Sequence, residues 1–184
     1  LAIFAKSGCN GGSCHGALAG KGGFRLSLRG YDPEQDYQTI VKQARGRRVE
    51  LSDPGRSLIL AKPTCALPHK GGLRFDTDSL DYRVISQWIA AGAQPPNSND
   101  VTVTQIEMLP KQLQLSVGQK QRLVVRAHFS DGHVEDVTQW AKFTSANETV
   151  AKVNSAGEVS VIGHGVRAIS VWFSSKIVIS QVTS

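Results

Sequence analysis

The stretch Cys9-Asn10-Gly11-Gly12-Ser13-Cys14-His15 ends in Cys-His, the pairing by which a chain attaches haem covalently. Two thiols add to the two vinyl groups of the porphyrin, and the histidine that follows ligates the iron. The usual spacing puts two residues between the cysteines; here there are four. A longer spacer serves if the loop folds back and brings both sulfurs to one porphyrin edge, and Gly11-Gly12 is expected to supply that freedom. Two other readings of the same residues stand beside it: a small disulfide loop between Cys9 and Cys14, or three ligands of a zinc site. Zinc calls for a fourth ligand or a water, and usually a paired ligand cluster elsewhere, whereas the one other cysteine, Cys65, stands alone. The expectation is therefore one covalently attached haem c.

Working outward, the chain has 184 residues, of which 40% are hydrophobic. That is enough for two small domains with packed cores. No run of about 18 apolar residues occurs, so no transmembrane helix is expected. Covalent haem is attached outside the cytoplasm, so the expected location is periplasmic, extracellular or at a bacterial cell surface. An export signal, cleaved or left off, and further domains are expected with it. The net charge of +6 is spread over both halves. Its only local cluster is Arg45-Gly46-Arg47-Arg48. Nucleic-acid binding needs a larger basic patch with interleaved aromatics, so no nucleic-acid partner is expected. One or two of these arginines are expected to pair with haem propionates, which guanidinium groups hold well.

A composition break falls at Gly92-Ala93-Gln94-Pro95-Pro96-Asn97-Ser98-Asn99-Asp100, where Pro, Asn and Ser mark a linker. Before it, short helices lie between Gly-rich loops. Leu1 to Lys6 reads as a helix tail leading into the attachment loop. Asp32-Pro33-Glu34-Gln35 reads as a capped helix start, with Gln35 closing a capping box. Asp53-Pro54 starts another that buries Leu58, Ile59 and Leu60 and stops at Pro63. The clearest runs from Ser79 to Ala91, with Leu80, Val84, Ile85, Trp88 and Ile89 on one face and Gly92 at its end. After the break, residues alternate. Leu113, Leu115 and Val117 form one stripe, and Leu123, Val125, Ala127 and Phe129 the next, ending at the turn Ser130-Asp131-Gly132. Val150–Val153 and Glu158–Val161 flank a second turn, and Ala168–Phe173 and Ile177–Val182 follow. Six or seven short strands with regular turns argue for a β-sandwich.

Two resemblances follow from these residues. Ser7-Gly8-Cys9 to Gly16, Lys21-Gly22-Gly23-Phe24-Arg25-Leu26-Ser27-Leu28, Gly30-Tyr31-Asp32-Pro33, Ser57-Leu58, Lys62-Pro63-Thr64 and Pro68-His69-Lys70-Gly71-Gly72 resemble the cytochrome c domains of planctomycete-type multidomain proteins. Ser130-Asp131-Gly132, Asp136-Val137-Thr138, Trp140, Val150-Ala151 and Gly157 are similar to bacterial Ig-like domains of group 2. The resemblance implies a multidomain fold. An all-α cytochrome c-like haem domain over residues 1–96 is followed by an all-β Ig-like sandwich over residues 101–184, within an exported protein.

The second axial ligand decides what such a haem can do. His69, in the loop Leu67-Pro68-His69-Lys70-Gly71-Gly72, stands where small cytochromes often place a Met before their last helix. The expected iron ligands are therefore His15 and His69, with Cys9 and Cys14 as the attachment points. Met108 and Cys65 are rival ligands. His128, His133 and His164 read as surface residues of the second half. A filled sixth position points to one-electron transfer with a redox partner protein or a fused domain, and not to catalysis. An open distal site would instead make a haem enzyme or ligand sensor, with Arg74 or Lys70 beside it. A third reading is an adhesion or glycan-binding module, with Trp140 and Trp172 as candidate glycan contacts and the haem accessory.

Overall fold

The computed structural model describes residues 1–184 and divides into two compact units. The first contains Leu1 and Ile3–Asp100, the second Val101–Ser184. Each is described by itself.

The first unit has four α-helices: α1 (Ala2–Lys6), α2 (Pro33–Tyr37), α3 (Leu58–Ala61) and α4 (Leu80–Ala90). Only α4 is longer than five residues. The rest is loop and single helical turns, and all ten strands of the chain lie in the second unit. This corrects the expectation of an all-α cytochrome c-like domain over residues 1–96: the chain's regular structure is mainly β, with few helices. The physical reason is compositional. Glycine and proline recur through residues 1–100, and each costs a helix interior about 1 or about 3 kcal/mol relative to alanine.

Where helices do form, their ends are specified. The Asp32 carboxylate accepts the Gln35 amide N–H at 2.9 Å. The Gln35 side chain, however, does not return to complete a capping box; it donates to Thr39 Oγ1 at 3.1 Å. Ser79 caps α4 by accepting the Tyr82 N–H at 3.1 Å. At the other end, the Ala93 N–H reaches the Trp88 carbonyl and the Gly92 N–H the Ile89 carbonyl, both at 2.9 Å. Gly92 takes the left-handed conformation (φ 93°) that this helix stop requires. The face of α4 that is buried is Asp81, Ile85 and Ile89, while Leu80 and Val84 are exposed. Asp81 is drawn inward by Lys6 of α1, whose Nζ lies 3.2 Å from its carboxylate.

Much of the rest of this unit is fixed by side chains bonded to backbone. Asp36 is fully buried and accepts both the Ser27 amide N–H at 2.5 Å and the Ser27 hydroxyl at 2.6 Å. Burial pushes its carboxyl above the ordinary range, and the Ser27 bonds pull it back.

The second unit is a β-sandwich, the Ig-like part of the expectation. Its strands are β1 (Val103–Leu109), β2 (Gln112–Gln114), β3 (Lys120–Arg122), β4 (Val124–Phe129), β5 (Val134–Asp136), β6 (Lys142–Ser145), β7 (Ala151–Val153), β8 (Glu158–Val161), β9 (Val166–Phe173) and β10 (Lys176–Thr183). They form three hydrogen-bonded sheets, ordered β1-β4-β5, β2-β10-β9-β6 and β3-β8-β7. Neighbours pair antiparallel except β2, which runs parallel to β10 with Leu113 opposite Val182. One core joins all three sheets: Met108 and Val125 from the first, Leu113, Ile169 and Val171 from the second, Val159 and Val161 from the third. Alternation along β9 and β10 places Val171 and Val182 inside and leaves Ile177 and Ile179 outside.

Two substitutions test this account. Asp36→Ala leaves the buried Ser27 N–H and hydroxyl without their acceptor and is expected to cost about 1–3 kcal/mol, read by urea unfolding of the first unit. Leu123→Ala, at a fully buried position of the sandwich, is expected to cost about 2–5 kcal/mol. That loss should appear in the unfolding of the second unit, with the first unit's transition unchanged.

Candidate functional site

The loop after α1 is wound tightly by its own backbone. The Cys9 N–H donates to the Phe4 carbonyl at 2.8 Å, the Cys14 N–H to the Gly11 carbonyl at 2.9 Å, and the His15 N–H returns to the Cys9 carbonyl at 2.9 Å. This last bond closes the four-residue spacer and brings Cys9, Cys14 and His15 onto one turn. The glycines responsible are not the expected pair. Gly8 adopts the left-handed region (φ 74°), whereas Gly11 and Gly12 do not. Gly16 is required for a different reason: a Cβ there would collide with the Asn10 carbonyl. Cys9 is buried and Cys14 half-buried, and no disulfide joins them.

His15 is held on three sides. Its carbonyl accepts the Leu26 N–H at 2.8 Å. Its Nδ1 lies 3.0 Å from the Phe24 carbonyl; a carbonyl only accepts, so Nδ1 carries the proton and Nε2 the lone pair. The imidazole also packs against the Phe24 ring, centroids 4.7 Å apart. Burial first, opposed by the Phe24 hydrogen bond, holds the His15 pKa below its ordinary value. This favours the neutral imidazole that ligates metals.

His69 is held the same way. Its Nδ1–H donates to the Gly72 carbonyl at 3.0 Å, within a turn closed by Gly72 N–H to the His69 carbonyl at 2.9 Å. The two rings lie with centroids 6.3 Å apart and planes 5° from parallel. The donor set, two imidazoles each with Nδ1 on a backbone carbonyl, is of the kind that can ligate a haem iron. Gly71 is part of this geometry: a Cβ there would lie 2.7 Å from His69 Cε1 and 3.0 Å from Nε2. Arg74, half-buried, reaches from this loop to Cys14, its Nη2 3.8 Å from Sγ.

The remaining candidates lie elsewhere. Met108 sits in the sandwich core, 1% exposed, and so is not a ligand in this arrangement. Cys65 is exposed. His128 faces Glu107 at 3.6 Å and His133 faces Asp131 at 2.6 Å, and His164 is on the surface. Trp140 packs against the sandwich core, and Trp172 is half-buried on β9. Of the arginine cluster, Arg45 and Arg47 are exposed. Arg48, expected at a propionate, is instead buried, its guanidinium donating to the carbonyls of Thr39 (2.7 Å), Gly23 (2.8 Å) and Gln43 (3.3 Å). Sequence reasoning missed the buttress of Phe24, Arg48 and Gly71. Only Gly71, beside the ligand candidate in a Gly-Gly pair, left any local signal.

No family model matches the chain, and no curated protein matches it. Among solved structures, it is similar to domains 5–6 of the S-layer protein SbsC, with 21% identity over 46% of this chain and 44% of that one and a TM-score of 0.39. It is also similar to SbsC domains 4 and 5 (17% identity, 46% of this chain and 53% of that one, TM-score 0.39). A mutant intimin of EHEC O157:H7 aligns with 16% identity over 47% of this chain and 46% of that one, at a TM-score of 0.30. Less than two thirds of each of these proteins is spanned. None of them is a cytochrome, and no group of three or more His, Cys, Asp or Glu is placed to hold a metal ion. The expected description of the chain is corrected to its Ig-like part: the labels cytochrome c and metal-binding find no support in these matches. No helix is long and apolar enough to cross a membrane.

Gly71→Ala is expected to displace the His69 ring. Histidine Cε1–H proton resonances would report it: those of His69 and His15 shift, while those of His128, His133 and His164 stay in place.

Proposed function

We propose that the first unit carries one covalently attached haem c and serves as a one-electron transfer module of an exported bacterial protein, in the periplasm or at the cell surface. Cys9 and Cys14 would hold the porphyrin through thioether bonds, and His15 and His69 would ligate the iron. The observation that carries this reading is the closeness of the two near-parallel imidazoles, 6.3 Å between centroids, each with Nδ1 committed to a backbone carbonyl. That commitment fixes the tautomer and aims the free nitrogen, as in other metal-ligating histidines. A haem with both axial positions filled supplies one-electron redox chemistry and offers no position for substrate. The chain's own contribution is orientation and exclusion. The Cys9–His15 turn sets the attachment edge, Phe24 shields one face of His15, and Gly71 leaves room for the His69 ring. The redox partner is a separate protein or a fused domain, and the Ig-like unit is a spacer or docking surface for it.

The test is the visible spectrum of the chain exported alongside haem-maturation machinery. The expected result is haem that stays with the denatured chain and sharp low-spin bands on reduction. His69→Ala is expected to keep the covalent haem, turn the oxidised spectrum high-spin and admit cyanide. Cys9→Ala with Cys14→Ala is expected to lose covalent attachment. A colourless wild-type chain overturns the proposal, and a high-spin wild type overturns the role of His69.

A further inference from the structure

Arg48 is a rare kind of residue: an arginine 5% exposed with no carboxylate partner among its hydrogen bonds. Burying a guanidinium is costly unless its donors are satisfied. Here they are satisfied by main chain. Nη1 donates to the carbonyls of Thr39 and Gln43, at the two ends of the helical turns that follow α2. Nη2 donates to the carbonyl of Gly23 at 2.8 Å. The guanidinium carbon also lies 4.8 Å from the centroid of the Phe24 ring, within the range of a cation–π contact.

Phe24 holds the His15 ring, and Gly23 precedes Phe24 in the chain. They close the turn Lys21–Phe24, whose ends exchange hydrogen bonds at 3.0 and 3.1 Å, with Gly22 and Gly23 both left-handed (φ 60° and 70°). The Phe24 carbonyl is the acceptor for His15 Nδ1–H, and the Phe24 ring is the surface His15 packs on. So one guanidinium grips both the carbonyl before Phe24 and the ring of Phe24. Without it, a two-glycine turn would set the orientation of His15 alone.

We propose that Arg48 is the positioning residue for His15: by clamping Gly23 and Phe24 it fixes the tautomer and rotation of that imidazole, and so the strength of its bond to iron. This rests on the haem reading above. It replaces the propionate role that the arginine cluster invites, and it predicts that Arg48 matters while Arg45 and Arg47 do not. Lysine cannot substitute, because a single ammonium cannot span Thr39 and Gly23 as a planar fork does.

The experiment uses the exported full chain and compares wild type with Arg48→Lys, Arg48→Met, Phe24→Leu and Arg47→Met. Each is scored for haem retained on denaturation, for the low-spin fraction when oxidised, and for the rate at which added cyanide displaces an axial histidine. The expected result is unchanged covalent haem in all of them. Displacement is about tenfold or more faster in Arg48→Lys and Arg48→Met, the scale of outer-shell losses at metal sites. Phe24→Leu, which keeps the carbonyl but loses the ring, is accelerated less, and Arg47→Met behaves as wild type. If Arg48→Met fails to fold, Arg48→Lys and Phe24→Leu carry the test. Wild-type displacement rates in those two overturn the positioning role while leaving the haem reading intact. Equal acceleration in Arg47→Met overturns it as well, by showing a general charge effect. A wild-type chain without covalent haem removes both readings at once.

Discussion

A loop-rich unit must satisfy its backbone polar groups without ladders, and residues 1–100 are built around that obligation. Buried N–H and C=O groups left unpaired cost as much as a lost hydrogen bond. Here they are met one by one: the Ser27 N–H by Asp36, the Glu50 N–H by the Ser57 hydroxyl, three carbonyls by Arg48. The two imidazoles obey the same rule. Each spends its Nδ1–H on a backbone carbonyl of a nearby loop residue. The orientation of both rings thus comes from the same kind of bond that closes the loops around them.

This explains what was legible in the sequence. The caps of α2 and α4, the turn after Gly92 and most strands of the sandwich are short-range features, set by residues three or four apart or by strict alternation. They could be read directly. Cys9, Cys14, His15 and His69 were singled out by residue type and spacing, and the structure brings His15 and His69 within 6.3 Å of each other. The Gln35 capping box and the inward face of α4 were misjudged because tertiary partners, Thr39 and Lys6, took those side chains. The all-α reading of the first unit failed because true helix starts were followed by glycines and left-handed residues such as Ala44 and Arg45, which turn the chain before a helix can lengthen. The role of Arg48 was hidden altogether, since its partners Gly23 and Thr39 lie 25 and 9 residues away.

Burial and exposure divide the labour within each unit. In the first, buried apolar residues such as Phe4, Leu26, Leu60, Phe75 and Ile89 share the interior with the polar and charged side chains of Asp36 and Arg48. In the second, one continuous apolar core does the work, and its polar residues cluster at turns, where Asn154 accepts the N–H groups of Ala156 and Glu158.

The parallel pairing of β2 with β10 has a mechanical side. The two strands lie near opposite ends of the sandwich's sequence, and they run in the same direction. A pull applied at those ends drags the strands past each other along their length, so their hydrogen bonds, with the Leu115 N–H to Thr183 carbonyl bond beside them, are loaded in shear and must break together. An antiparallel hairpin in the same place would open like a zip, one bond at a time. Under such a pull this pairing would give way only as a unit, and until it did the core behind Leu113 and Val182 would stay shut.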